Sequence, residues 1–502
     1  MQYLYRFSGR ACDQERKPGA KKRWLQLFSP AFLALAALLI LVFATGGASR
    51  SDVDSLLVLR PVATGIAFLG LFWMRAEHWR ANWFLLGWTG AVVLLTFAQL
   101  VPLPPKVWQA LPDRNLIAQI DQTVGLGDIW RPLTMTPGAT RNAFWSLMPP
   151  LACLVLAVQL DRRELRQLMG LVIVLGFVSA FLAMLQLLGD PRGPLYLYDF
   201  TNNGAAVGLF ANRNHQALLL AALLPMLTAW AFDEQFRSDG SRLKSWTIRR
   251  VAALSAAGFV IPLVLITGSR AGLALGLVAL GVAGAFTLHS LRRSKLNPIT
   301  DLGGWARSTS QEKHRRVSRL MGGLLLIVSA PTLIAITVTL NRDLAIDRLL
   351  EQDIAEDART KILPTVIEKT QLYLPWGSGM GSFEQVFQVH EPDALLAPTY
   401  MNHAHNDWLE LVQTGGIPAL ALLATGLAWA FSLLWRFGWS YSVPHDARRL
   451  GQVGASFLVL AGLGSIGDYP LRVPSLACLL VLAMTWIGQL SDPGWTNQQV
   501  QR

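Results

Sequence analysis

The sequence predicts an all-α polytopic membrane protein with about twelve transmembrane helices. Two properties of the composition indicate this class. Of the 502 residues, 52% are hydrophobic and only 15% are charged, and the mean hydropathy is +0.37. Soluble domains are about 25% charged, so this chain has too few ionisable residues to cover several water-soluble domains. A third observation is that apolar runs of roughly 20 residues, the length that crosses a bilayer as a helix, recur along the chain.

About twelve apolar runs are long enough to be membrane spans. They start near Phe28, Leu56, Asn82, Ala143, Leu168, His215, Val251, Ala271, Met321, Gly416, Gly451 and Leu476. The first span follows a basic segment at residues 16–23, which resembles the n-region of a signal peptide. Because its apolar core is too long for a signal peptide and further spans follow, we interpret it as a retained helix.

Five regions follow from these spans. They are a basic cytoplasmic tail (1–27), transmembrane helices 1 to 9 (28–340), a large outer loop (341–414), transmembrane helices 10 to 12 (415–490) and a second cytoplasmic tail (491–502). The large outer loop contains a helical pattern over 346–354 and a second helical stretch over 357–370. Loops longer than about 15 residues are usually functional or disordered, and we expect this one to be an ordered external subdomain with short helices.

The positive charge of the chain follows its predicted membrane orientation. With both termini in the cytoplasm, most of the 44 Lys and Arg residues fall on the cytoplasmic side, as the positive-inside rule describes. The segment 292–319 is the clearest cytoplasmic loop. Insertion therefore explains the net charge of +12, and we expect contact with the lipid bilayer and no nucleic-acid partner.

Few residues indicate metal or disulfide chemistry. Cys12, Cys153 and Cys478 have no metal-ligand spacing, and we expect neither a disulfide nor a zinc site. Asp52 and Asp54 form an Asp-Val-Asp triplet in the first outer loop, but such a triplet is frequent by chance. The sequence therefore predicts no metal and no cofactor.

A first group of polar residues lies at the outer start of the sixth span, in LFANRNHQALLL. Asn212, Arg213 and Asn214 precede His215 there. A helix N-terminus offers unpaired N–H groups and the positive end of the helix dipole, and an adjacent arginine makes this a site for phosphate. The alternative is an interfacial arginine that extends to lipid headgroups.

A second group forms the turn between spans seven and eight, in LITGSRAGLAL. Ser269 and Arg270 fill this turn between Gly268 and Gly272, on the same side of the membrane as Arg213. A turn arginine is also a common membrane anchor. Two guanidinium groups on one face, both at helix starts, nevertheless match the several negative charges of a pyrophosphate.

A third group is the segment YMNHAHNDWLELVQTGGIPALALL. A short helix over about 404–414 is expected to end at Gly415 and Gly416. On such a helix His403 and His405 would point about 200° apart, which argues against equal roles in one site. A histidine can accept a proton from a hydroxyl group near neutral pH; the alternative is an interfacial histidine bonded to a nearby carbonyl group.

Two further patterns indicate what the chain does not do. The glycine-rich PWGSGMGSF segment has no preceding strand and no following lysine, so it predicts a turn rather than a phosphate-binding loop. The spans contain almost no buried ionisable residue, whereas ion-coupled transporters place such residues at mid-membrane depth. The sequence therefore disfavours an ion-coupled transporter.

These four motifs, in this order and at one face, resemble the O-antigen ligase and polysaccharide polymerase family. The resemblance extends from about Leu168 to Trp435, and its most specific motif is His-Asn-x-x-Leu at His405, Asn406 and Leu409. It implies a GT-C-like bundle of about twelve helices with one large periplasmic loop, in the bacterial inner membrane. The large outer loop at 341–414 would then be periplasmic.

The resemblance also implies an activity: transfer of a glycan from undecaprenyl pyrophosphate to an acceptor hydroxyl, on a growing polysaccharide or on lipid A core, without a metal ion. Arg213 and Arg270 match the pyrophosphate-binding arginines of the family, and His405 matches its essential histidine. We assign these three residues catalytic roles. The residues expected to bind substrate are His403, Asn406, Asn212, Asn214, Ser269 and Tyr400.

Alternatives remain within and beyond this family. Ligase, chain-extending polymerase and O-linked protein glycosyltransferase differ only in the acceptor, and the glycine-rich turn before the histidine motif slightly favours polymerase or exopolysaccharide synthesis. A transporter or flippase of the same lipid-linked glycan is the alternative from another class. Tyr400, Asp407 and Glu410 are each close enough in the chain to orient His405.

Overall fold

A computed structural model describes residues 28–233, 242–296, 354–393, 396, 400–440 and 442–491. The basic N-terminal tail, Cys12, the ninth predicted span near Met321 and the predicted helical pattern over 346–353 lie outside the described residues.

The described chain is built of helices joined by loops. In chain order they are α1 (Pro30–Thr45), α2 (Leu56–Trp73), α3 (Ala76–Ala81), α4 (Trp83–Ala98), α5 (Pro105–Gln109), α6 (Asn115–Thr123), α7 (Pro137–Ser146), α8 (Met148–Ala157), α9 (Arg162–Leu188), α10 (Arg213–Ala231), α11 (Arg242–Ile266), α12 (Arg270–Leu296), α13 (Ile354–Leu372), α14 (Phe383–His390), α15 (Asp407–Phe437), α16 (His445–Gly464) and α17 (Pro474–Gly488). One short antiparallel sheet pairs β1 (Pro102–Leu103) with β2 (Arg131–Pro132). Short 3₁₀ turns at Pro470–Arg472 and Gln489–Ser491 flank α17.

Six helices of the described chain are long and apolar enough to cross a bilayer. They are Leu56–Trp73, Arg162–Leu188, Arg249–Ile266, Arg270–Ser290, Asp407–Phe437 and Pro474–Ser491. Two shorter apolar helices, Pro30–Thr45 and Trp83–Ala98, accompany them. The predicted all-α polytopic membrane protein is thus confirmed, while the number of twelve spans stays a prediction.

The fourth predicted span differs from the structure. Instead of one helix from Ala143, the chain forms α7 and α8, which meet at Leu147. Pro149 and Pro150 lie in the first turn of α8. Because a proline lacks the backbone N–H and clashes with the preceding turn, it is tolerated at a helix start but interrupts a continuous helix.

Helix α10 lies at the centre of the bundle. After Arg213 the helix contains no Lys, Arg, Asp or Glu. Every residue from His215 to Leu227 is buried. A helix that is apolar on all sides has to be enclosed by other helices, and α9, α11, α12 and α16 pack against α10. This packing fixes the position of its first residue, Arg213.

Helix α15 is broken at Gly416, as predicted. Gly416 has a φ of +64° and a ψ of −159°, a conformation that essentially only glycine adopts. The glycine-rich turn closes over the break: Gly379 N donates to Thr414 O at 2.9 Å, and Ile417 N donates to Pro375 O at 2.8 Å. The interpretation of PWGSGMGSF as a turn is therefore confirmed, and this turn stabilises the break.

The described part of the predicted outer loop contains two helices. Helix α13 includes the predicted helical stretch over 357–370, and α14 follows the glycine-rich turn. Helix α13 packs against α15, so this part of the loop is attached to the segment that contains the histidine motif.

Candidate functional site

The first polar group lies at the N-terminus of α10, as predicted. Asn212 is the capping residue, and its Oδ1 accepts a hydrogen bond from Asn214 N at 2.8 Å. Arg213 is the first residue of the helix, and its backbone N–H donates to Asn202 Oδ1 at 3.0 Å. The asparagine side chains thus fix the backbone on both sides of Arg213.

The second polar group caps α12 in the same way. Ser269 Oγ accepts a hydrogen bond from Gly272 N at 2.8 Å, and Arg270 is the first helical residue. Gly268 has a φ of +62°, which allows the tight turn after α11. A Cβ on Gly272 would overlap Ala217 of α10, so glycine permits the close approach of α12 to α10.

The two helix starts are bonded to each other. Ser269 Oγ donates to Asn214 Oδ1 at 2.7 Å. The residues next in the chain to Arg213 and Arg270 are therefore in direct contact, and both arginines belong to one end of the bundle. This contact confirms the prediction that the two motifs lie on the same side of the bundle.

The third polar group differs from the prediction. Helix α15 begins at Asp407 rather than near Ala404, because Asn406 Oδ1 caps it by accepting from Leu409 N at 3.1 Å. His403 and His405 therefore precede the helix, and His405 has a positive φ of 49°. The argument that a helix would direct the two imidazoles to opposite sides is wrong.

Both histidine rings in fact pack against one tyrosine. The centroid of the Tyr469 ring lies 4.4 Å from that of His403 and 4.9 Å from that of His405. Tyr469 lies in the turn between α16 and α17, which the sequence did not indicate as part of the site. The two imidazoles therefore share one wall of the same site.

One buried carboxylate joins the three polar groups. Asp468 is 2% exposed, and its Oδ1 lies 3.7 Å from His405 Nδ1. Its Oδ2 accepts hydrogen bonds from Asn214 Nδ2 at 2.6 Å and from Asn212 Nδ2 at 3.1 Å. Through Asn214 the network extends to Ser269, so motifs from α10, α12, α15 and the turn before α17 converge here.

A second carboxylate holds His403. Glu410 is 1% exposed; its Oε1 lies 3.1 Å from His403 Nδ1, and its Oε2 accepts from Ala404 N at 2.9 Å. Arg472 Nη2 lies 3.4 Å from Glu410 Oε1, and Arg472 Nε donates to Asp407 Oδ1 at 3.0 Å. Asp407 and Glu410 thus bind Arg472 and His403, and the carboxylate beside His405 is Asp468.

Tyr400 contacts Arg50. Its hydroxyl accepts a hydrogen bond from Arg50 Nη2 at 2.9 Å. Arg50 also binds Asp52 through two hydrogen bonds, Nε to Oδ1 at 2.9 Å and Nη2 to Oδ2 at 2.6 Å. Asp52, one of the two aspartates considered as metal ligands, is therefore paired with Arg50.

The network has the groups needed for proton transfer and for anion binding. A carboxylate beside one nitrogen of an imidazole orients the ring and stabilises its protonated form. Two helix N-termini that begin with arginines attract an oxyanion through N–H groups, the helix dipole and the guanidinium charge. Sequence reasoning missed Asp468 and Tyr469; the available signal was an acidic residue in the short GDYP turn between two apolar helices.

Comparison with known proteins agrees with the sequence resemblance. Residues 252–424 match the protein-family model described as O-antigen ligase. The match contains the turn with Ser269 and Arg270, the glycine-rich turn and the segment with both histidines, whereas Arg213 and Asp468 lie outside it. A search of curated proteins found no match.

Proposed function

The chain contains a domain of the O-antigen ligase family over residues 252–424, and we propose that it transfers a glycan from undecaprenyl pyrophosphate to an acceptor hydroxyl. The family makes it a ligase-type membrane glycosyltransferase. In our proposal the acceptor is a growing polysaccharide or lipid A core, the reaction needs no metal ion or cofactor, and it takes place at the periplasmic face of the bacterial inner membrane.

Asp468 supports this proposal most strongly, because it contacts two of the motifs directly and is joined to the third through Asn214. A single buried carboxylate lies beside His405 and binds the two asparagines that flank Arg213. The side chain of His405 is 14% exposed beside this carboxylate. The arrangement suits a base and an anion site that act on the same substrate.

His405 is the proposed general base. With Nδ1 directed to Asp468, Nε2 is the nitrogen that accepts the proton of the acceptor hydroxyl. The hydroxyl oxygen forms a bond to the anomeric carbon of the donor sugar, and the bond from that carbon to the pyrophosphate oxygen breaks. The electron pair leaves with the pyrophosphate, and a single displacement inverts the configuration at the anomeric carbon.

Arg213 and Arg270 are proposed to stabilise the leaving group. Negative charge grows on the pyrophosphate as the glycosidic oxygen leaves, and donors placed where charge develops lower the barrier. Each arginine begins a helix, so the N–H groups of the first turn add to the guanidinium charge. The energy of the sugar–pyrophosphate bond drives the reaction without a nucleotide.

A periplasmic site agrees with the predicted topology. The N-termini of α10, α12 and α15 meet in one network, and the charge bias of the sequence predicts that this end of the bundle faces outward. In the same topology both chain termini and the segment 292–319 are cytoplasmic.

Reconstitution tests this function directly. Full-length protein in proteoliposomes would receive undecaprenyl-pyrophosphate glycan and acceptor, with and without EDTA, and the new glycosidic bond would be followed by mass spectrometry. We expect product and free undecaprenyl pyrophosphate in equal amounts, unaffected by EDTA. Movement of labelled donor across the bilayer without a new bond would instead favour the transporter, and modification of a pilin would favour the protein glycosyltransferase.

A further inference from the structure

Three loops at the outer end of the bundle bring two aromatic rings around one arginine. Arg50 Cζ lies 4.0 Å from the ring centroid of Phe200 and 5.8 Å from that of Tyr400. Asp52 binds the Arg50 guanidinium through two hydrogen bonds. We name Arg50, Asp52, Phe200 and Tyr400 the aromatic platform; none of the bonds within it serves the network around Asp468.

The aromatic platform is both exposed and fixed in position. Phe200 is 65% exposed and Tyr400 is 46% exposed, although burial of such rings would stabilise the fold. The Arg50 guanidinium, through its hydrogen bonds, holds the pKa of Asp52 below its usual range, so this carboxylate is ionised at neutral pH. An exposed pair of rings held by a fixed ion pair is a preformed surface for a ligand.

The aromatic platform is linked to the segments that contain Arg213 and His405. Phe200 precedes Thr201, whose Oγ1 donates to Ala211 O at 3.0 Å, and Asn202, which binds the backbone N–H of Arg213. The loop that contains Arg50 is tied to the same segment, because Ala211 N donates to Gly47 O at 3.1 Å. Tyr400 in turn precedes His405 in the third motif.

The chemistry of the aromatic platform suits a saccharide. The C–H faces of sugar rings pack on aromatic rings, while hydroxyl groups bond to carboxylate, guanidinium and phenol groups. An anionic lipid headgroup fits less well, because Asp52 already neutralises Arg50. Asp54 and Asp199, which lie beside the platform residues in the chain, are also exposed, and their charge would repel an anion.

We propose that the aromatic platform binds sugar residues of the glycan next to the transfer site. This inference rests on the proposed function, because it assigns a saccharide to a surface beside His405 and Arg213. The saccharide belongs either to the acceptor or to the donor, and the kinetic arm of the experiment separates the two.

Binding without transfer is the first test. The probe is the surface polysaccharide of the source strain, released from its lipid by mild acid, and saturation-transfer NMR would measure its binding to the full chain in nanodiscs. We expect Phe200→Ala to weaken binding by about tenfold. The control is Phe431→Ala, since Phe431 is also 65% exposed but lies in α15 beyond the Gly416 break; we expect it to bind like the wild type.

A second variant controls for a folding defect in Phe200→Ala. Tyr400→Phe keeps the ring and removes only the hydroxyl that Arg50 contacts, and we expect it to weaken binding by about fivefold. In the transfer assay, Phe200→Ala would raise the KM for the acceptor if the platform holds the acceptor, and the KM for the donor if it holds the donor glycan.

The outcomes distinguish this inference from the proposed function. If wild-type protein binds no polysaccharide, or if Phe200→Ala binds it as tightly as the wild type and leaves both KM values unchanged, the aromatic platform is not a glycan site. If the protein binds polysaccharide but forms no glycosidic bond with any donor, the platform stands and the proposed function fails. His405→Ala is expected to bind the probe normally and to make no product.

Discussion

The carboxylate of Asp468 lies 3.7 Å from Nδ1 of His405 and is buried between α16 and α17. The same carboxylate binds Asn212 and Asn214 on either side of Arg213. The proposed base and the proposed anion site are therefore held by one side chain. A change at Asp468 should affect both, whereas a change at either partner should affect only one.

Replacement of Asp468 by asparagine is expected to slow transfer by about 10- to 100-fold. The amide keeps the shape but removes the negative charge that stabilises protonated His405. The acidic limb of the pH–rate profile should therefore move to lower pH, an effect that a merely structural role would not produce. The control is Asp128→Asn, at an exposed aspartate in the loop between α6 and β2. An unchanged profile in Asp468→Asn would show that Asp468 does not act through His405.

Replacement of Arg213 or Arg270 by glutamine is expected to reduce kcat by about 10²- to 10³-fold, the usual effect of losing one donor to a developing anion. Lysine should restore part of the rate at each position, because it keeps the charge but not the planar guanidinium. The measurement is product formation with saturating donor. Arg192→Gln, at an exposed loop arginine, is the control, and a similar loss in that variant would argue against a specific anion site.

Replacement of Glu410 by glutamine is expected to destabilise the fold by about 1–3 kcal/mol, because Arg472 and His403 lose a charged partner while Arg472 keeps Asp407. Thermal unfolding in nanodiscs measures the loss. Glu368→Gln is the matched control, since Glu368 forms an exposed pair with Lys369 and such pairs contribute at most about 1 kcal/mol. Equal melting temperatures for the two variants would contradict a structural role for the Glu410–Arg472 pair.

Replacement of Gly416 by alanine is expected to cost about 1–3 kcal/mol from backbone strain alone. The added Cβ would also overlap Pro375 O of the glycine-rich turn, so the start of α15 should shift and transfer should fall as well. Gly87→Ala is the control, because Gly87 lies in α4 with open space around its Cβ position. A Gly416→Ala protein with normal stability and activity would show that the break at this residue is dispensable.

Local chemistry explains what the sequence predicted correctly. The helix starts at Arg213 and Arg270 and the break at Gly416 depend on residues within a few positions of one another, so short motifs were sufficient. The place of His405 could not be obtained in this way. Helix α15, which follows His405, begins three residues later than expected. The carboxylate beside His405 belongs to Asp468, in a distant turn that only the packing of α16 and α17 brings near.

One predicted span, the one from Ala143, differs from the structure for a related reason. A continuous apolar run from Ala143 gave no sign that Pro149 and Pro150 divide it into α7 and α8. The buried carboxylates Asp407, Glu410 and Asp468 were likewise not expected from hydropathy. They lie at helix ends, where arginine, histidine and asparagine side chains and backbone N–H groups stabilise the negative charge.

The most direct test replaces His405 by alanine in a strain without the native gene. Membrane levels would be confirmed by immunoblot, and surface glycan and undecaprenyl-pyrophosphate-linked donor would be measured together. We predict loss of product by about 10²-fold or more, the usual contribution of a general base, with accumulation of donor at equal protein. Normal surface glycan from equal amounts of the variant would contradict the assignment of His405 as the base.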